Sequence, residues 1–115
     1  MIVDEGLNKT RDLVSSGLSS GENGSDGTLP TISDTDCISP IADTELTLTS
    51  KTSTDKMITV QHDIDSTTAN GNTFKEYVTH FSTDEILHRT VHTLIDKNNT
   101  LELAFITSFI FESGE

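Results

Sequence analysis

The chain has 115 residues, enough for one domain and too few for two ordinary ones. Its apolar content is 32%, against about 45–50% in an average soluble domain, so a modest core has to draw on the apolar-rich stretch after Glu45. Nineteen acidic and seven basic residues give a formal charge of -12, which repels phosphate backbones and anionic lipid and argues against nucleic-acid or membrane partners.

The acidity is general: residues 1–44 carry two basic and eight acidic side chains, and residues 45–115 carry five and eleven. Scattered Asp and Glu with few Lys also suit a protein soluble in very high salt, where screening shortens the reach of self-repulsion. Cys37 is the single cysteine, so no internal disulfide can form, and no partner base marks it as reactive. No stretch has the apolar length of a membrane span or a signal segment.

Residues 1–18 read as a docking helix. Val3, Leu7, Val14 and Leu18 recur at helical spacing, and Leu13 widens the stripe. Asp4 and Glu5 suit the positive end of the helix dipole, and Gly17 is a plausible stop. A helix this short is marginal alone, so it is expected to pack on the rest of the chain or on another subunit. Residues 19–43 are mostly Gly, Ser, Thr, Asp and Asn, the composition of a loop. No phosphate-binding glycine pattern is present in it.

Residues 44–115 are expected to form an antiparallel β-domain. The segments 44–50 and 56–64 alternate and make a natural hairpin around a polar turn at 51–55; Ile58, Val60 and Ile64 share a face with His62. Three further strands follow at 73–81, 86–95 and 101–111. Bulky groups on both faces of 73–81 suggest a central position. In the last strand Leu101, Leu103, Phe105, Phe109 and Phe111 form one face, and Glu102, Ala104, Ile106, Ser108 and Ile110 the other. The second face is apolar towards its end and calls for a cover there. Nineteen threonines fit half-wet β-structure. The expected fold is mainly β: an N-terminal helix, then a small antiparallel sandwich or partly open barrel of about five strands.

No catalytic constellation emerges. His88 and His92 lie four apart on one strand, so their Cα atoms are roughly 13 Å apart and cannot share one zinc ion. Asp63, Asp65, Asp84 and Glu85 fall at strand ends and turns and match no calcium loop. No nucleophile elbow is present. The expectation is a non-enzyme with no cofactor and no metal. Asn8-Lys9-Thr10, Asn23-Gly24-Ser25 and Asn98-Asn99-Thr100 match the glycosylation acceptor pattern.

A set of motifs in order then suggests a family. The opening Gly6-Leu7-Asn8 with Arg11-Asp12-Leu13, the loop 31–36 (Thr-Ile-Ser-Asp-Thr-Asp) and the centre Ala69-Asn70-Gly71-Asn72-Thr73-Phe74-Lys75-Glu76-Tyr77 resemble small tail-associated virion proteins of tailed bacteriophages and archaeal tailed viruses. Asp84–Val91 and Ile95–Leu103 continue the resemblance. The chain departs from that pattern at Glu76-Tyr77-Val78-Thr79-His80-Phe81, which lacks the family's glycine and carries its phenylalanine one position late. The resemblance implies a structural component of a viral tail, at the baseplate or the fibre-attachment end, assembled in the host cytoplasm. It implies other tail proteins as partners and a homo-oligomer, trimeric or of higher symmetry. The interface residues expected on this reading are Val3, Leu7, Leu13, Val14, Leu18, Tyr77 and Arg89, with a structural ion pair as the other role expected for Arg89. A receptor-binding module using Tyr77, or a head, neck or capsid-decorating protein, is the competing expectation.

Overall fold

The computed structural model describes residues 1–113. Helix α1 (Asp4–Gly17) runs straight into β1 (Leu18–Gly24); β2 (Leu46–Thr47), β3 (Ser50–Thr54), β4 (Met57–Ile64), β5 (Thr73–Phe81), β6 (Ile86–Asp96) and β7 (Leu103–Ile110) follow. All pairings are antiparallel. They build two open sheets, of order β2-β1-β5-β6 and β3-β4-β7. The fold is therefore an N-terminal helix on a β-sandwich, and neither sheet closes into a barrel.

The alternating strands land as their side-chain period requires. In β4, Ile58, Val60, His62 and Ile64 are buried while Met57, Thr59, Gln61 and Asp63 are half-exposed. β5 lies between β1 and β6, and its bulky residues are covered by the second sheet on one face and by the segment after β1 on the other. In β7, Leu103, Phe105, Phe109 and their face turn inward; Ala104, Ile106, Ser108 and Ile110 stay exposed. Two apolar clusters fill the sandwich. Leu18, Ile58 and Val60 form one, and Ile41, Ile64 and Phe74 the other. Between them the rings of His62, Tyr77 and Phe105 bridge the two sheets: His62 stacks on Tyr77 at 6.0 Å and Phe105 on Tyr77 at 5.3 Å.

Three expectations need correction. Seven strands form where about five were expected. The residues 19–24, expected as loop, belong to β1, which pairs along most of β5. The expected strand 44–50 and turn 51–55 resolve into the two-residue β2 and the fully exposed β3. The reasons differ: residues 19–24 carry no apolar alternation, and in 44–55 only Leu46 and Leu48 alternate, too few to extend β2 beyond two residues. β3 is an edge strand wetted on both sides. β1 is built from small residues because its neighbours press against it. A Cβ on Gly21 would stand 2.5 Å from the His62 ring.

The helix packs on the β3–β4 hairpin with Leu7 and Val14 inward. Polar contacts complete the seam. Arg11 donates to the Thr54 carbonyl at 2.8 Å, the Lys56 amide donates to Asn8 at 2.8 Å, and Lys51 Nζ donates to the carbonyls of Ser15 and Leu18 at 2.7 and 2.9 Å. The lysine thus supplies the positive charge that the last helical turn lacks.

Candidate functional site

The outer face of the four-stranded sheet is roofed by the segment between β1 and β2. Residues there offer few apolar anchors, so a different force orders them. It is a buried carboxylate. Glu76 on β5 has no exposed surface. It accepts hydrogen bonds from Arg89 Nε at 2.8 Å and from the amides of Asp26, Ile38 and Ser39 at 2.9, 2.7 and 2.9 Å. Arg89 on β6 donates in turn to the Thr28 carbonyl at 2.8 Å and to Asp34 at 3.3 Å. Burial alone would raise the Glu76 pKa, yet Arg89 and the three amides outweigh it and hold the carboxyl below its ordinary value. Gly24 makes the room, since a Cβ there would meet the Glu76 carboxyl at 2.4–2.6 Å.

Beside this clamp sits a second polar cluster. His80 on β5 is 3% exposed. Its Nε2 lies 3.1 Å from Asp36 Oδ1 and 4.0 Å from Glu22 Oε1, and its Nδ1 lies 3.9 Å from Glu45 Oε1. Among the described residues no lysine or arginine stands within ion-pairing reach of Glu22, Asp36 or Glu45. The crowding shows in Glu22, whose pKa is pushed up to about 7 by burial first, then by a hydrogen bond and charge from Asp36 and by the charges of Glu45 and Glu76. Cys37 lies next to it, its thiol directed at the Glu22 carbonyl at 3.7 Å. Burial and the surrounding carboxylates raise that thiol's pKa, which keeps it protonated and inert as a nucleophile.

The third feature is apolar. Met1, Ile2 and Val3 protrude at the start of the chain, with Met1 92% and Val3 62% exposed. Met1 and Ile2 line a hollow of about 400 Å³ together with Leu7, Ile110 and Phe111, and its rim carries the charged Asp4, Asp55, Lys56 and Glu112. Ile110 is 65% and Ile106 63% exposed on the bare outer face of β7. A separate cleft of about 550 Å³ opens along β6 and β7, lined by Tyr77, Thr90, His92, Leu94, Phe105 and Ile106.

The expected interface set divides accordingly. Val3 and Leu13 are exposed and remain available to a partner. Leu7, Leu18, Tyr77 and Arg89 are buried within the chain, and Val14 is half-buried against the core. Tyr77 OH accepts from Thr107 at 2.8 Å, which ties β5 to β7. Arg89 forms the intramolecular ion pair described above, which is the structural role expected for it and not the interface one. The correction has one cause: the stripe of a helix and the bulky face of a central strand meet their own sandwich first.

The histidines do not converge. His62 is fully buried and bonded to Asn23 Oδ1 at 2.7 Å; His88 bonds Thr79 at 2.8 Å. Burial pushes both pKa values down to about 4, so both rings are neutral packing elements near pH 7. Asn23 has no exposed surface, so its acceptor tripeptide is closed to glycosylation in the folded chain. Asp65 is occupied by Thr67 and Thr68 in a turn. Sequence reasoning missed the grouping of Glu22, Asp36, Glu45 and His80, because Glu22 and His80 meet through the pairing of β1 with β5, Glu45 arrives just ahead of β2 and Asp36 with the roof segment, and no local pattern marks any of these. No protein-family description, no curated protein and no solved structure matches this chain.

Proposed function

We propose that the chain is a non-enzymatic assembly component of a viral tail, acting as a rigid bracket at the baseplate or at a fibre-attachment point. The tail assignment rests on the ordered motifs that resemble tail-associated virion proteins. The bracket role rests on one observation, the apolar side chains of Met1 and Ile2 at a hollow shared with Ile110, with Val3 exposed next to them in the chain. Isolated surface apolar residues are ordinary, but adjoining ones around a hollow mark a contact surface. The first partner is a second copy of the chain, in a symmetric ring or trimer, and the next is a tail neighbour.

Charge decides when this happens. Copies of net charge -12 repel each other at low salt. Screening cuts that repulsion to a range of about 3 Å at 1 M salt, while apolar burial is undiminished. Assembly therefore grows with salt. Light-scattering mass of the purified chain across a salt series tests this, with a Val3→Ser/Ile110→Ser double variant beside it. A discrete oligomer at high salt, reduced to monomer in the variant, supports the bracket. A chain that stays monomeric, binds no tail protein and binds host envelope would sink it and favour the receptor-binding alternative.

A further inference from the structure

We infer that Glu22, Glu45 and His80 form a site for one divalent metal ion of the zinc class, with Asp36 orienting the imidazole from its far side. The site is independent of the docking surface. It would join β1, β5 and the residue just ahead of β2, and so pin the roof segment at its end.

The case begins with the imidazole. Nε2 lies 3.1 Å from Asp36 Oδ1, and a carboxylate accepts, so the proton belongs on Nε2. Nδ1 is left as a lone pair. It is buried and has no hydrogen-bond partner. What faces it is another acceptor, Glu45 Oε1, at 3.9 Å. The buried lone pair is left unsatisfied, facing a second acceptor on a half-exposed side chain, unless a cation lies between them. One ligand atom each from Glu22, Glu45 and His80 already falls within a 4.8 Å circle. Bonds of about 2.0–2.2 Å to zinc place tetrahedral ligands roughly 3.3 Å apart, so contractions of up to roughly 1.5 Å complete the set, with Glu22, whose Oε1 lies 4.0 Å from Nε2, swinging towards the Nδ1 side. The Glu45 carboxylate is 50% exposed and free to make most of that movement, while Glu22 is 12% exposed and moves less.

The ligand chemistry narrows the ion. Calcium and magnesium take oxygen almost exclusively, whereas zinc accepts imidazole with carboxylates. Three protein ligands leave a fourth position for water. A carboxylate on the second imidazole nitrogen is the usual outer partner of a metal-bound histidine, fixing its tautomer and orientation. Asp36 stands at that position. The clustered negative charge, unmatched by any lysine or arginine, is what the ion would neutralise.

Calorimetric titration of the full chain with Zn²⁺ at or above neutral pH, after chelator treatment, tests the site, with Ca²⁺ as the control. One Zn²⁺ per chain is expected. Asp36→Asn should weaken binding about 10–100-fold, Glu45→Gln at least as much, and His80→Gln should abolish it. Zn²⁺ at a hundred times its Kd should raise the folding constant of the unsubstituted chain about a hundredfold. Nitrogen NMR of the His80 ring should show Zn²⁺ displacing the Nδ1 resonance. Because Glu45 and Asp36 are half-exposed, their variants fold even if His80→Gln does not. No saturable Zn²⁺ binding, binding that survives Glu45→Gln, Ca²⁺ bound as tightly as Zn²⁺, or a response at Nε2 instead of Nδ1 would each overturn the proposal.

Discussion

The two sheets treat their outer faces in opposite ways. The four-stranded sheet covers its face with the chain's own roof segment, held by the Glu76–Arg89 pair and three backbone amides. The three-stranded sheet leaves its face bare, and Ile106 and Ile110 stand on it in water. One face is sealed by polar chemistry, and the other is open and apolar at its end. The contrast teaches that burial here does not track hydrophobicity: a carboxylate and a guanidinium are interior, and two isoleucines are not.

The largest expected effect breaks the sealed side. Glu76→Ala would leave the Arg89 charge and three amides without their acceptor, and losing one partner of a buried pair costs about 3–5 kcal/mol. Arg89→Met is expected to cost less, because Glu76 keeps its three amide donors. Urea midpoints at constant slope measure both. Limited proteolysis should cut between residues 25 and 45 in the alanine variant first. Equal losses from the two substitutions would show that the ion pair, and not the amide cradle, orders the roof.

A pH series probes the layer between the sheets. The folded-state pKa values of His62 and His88 lie near 4, below the usual 6.5. Their contribution is complete above pH 6.5. As pH falls towards 4 the unfolded chain takes up protons that the folded chain refuses, and stability drops by up to about 1.4 kcal/mol per unit for each ring. Glu22 works the other way: raised to about 7, its contribution is full below pH 4.5 and is lost as pH rises through 7. Two groups oppose one, so in metal-free buffer stability should decline on acidification from pH 6.5 to 4.5 by roughly 1.4 kcal/mol per unit. His88→Gln should nearly flatten that slope in denaturant titrations. A variant that keeps the full slope would show that His88 is not the neutral core ring described above.

The bare side was open to reading from sequence, and the sealed side largely was not. The strands β4, β5 and β7 follow from side chains that alternate with period two; the same count puts Ile106 and Ile110 on one face of β7, where a cover was expected and, among the described residues, they stay exposed. β1 escaped because its glycines are there for packing: Gly21 admits the His62 ring and Gly24 the Glu76 carboxyl. Glycine in a polar stretch reads as a turn until its neighbours are known. Glu76 sat in an alternating strand, but its donors lie 13 to 50 residues away in sequence. Nothing local marks such a pairing. The helix stripe was readable as apolar but not as to its partner: Leu7 and Leu18 turn inward, while Val3 and Leu13 stay exposed.

The smallest effect sharpens the comparison from the open side. Ile106→Thr and Ile110→Thr keep β-branched side chains that suit an edge strand, and both positions already face water. In the monomer at low salt each should leave stability within about 0.5 kcal/mol of the parent. At high salt the same substitutions should weaken self-association, because the apolar area they remove is area that only a neighbour would bury. The pair of measurements separates two causes that a single one would confuse. A loss above about 1 kcal/mol in the monomer would mean that the chain itself covers this face. Unchanged stability with unchanged association would mean that docking is confined to Met1, Ile2 and Val3. Only unchanged stability together with weakened association makes the uncovered sheet part of the bracket.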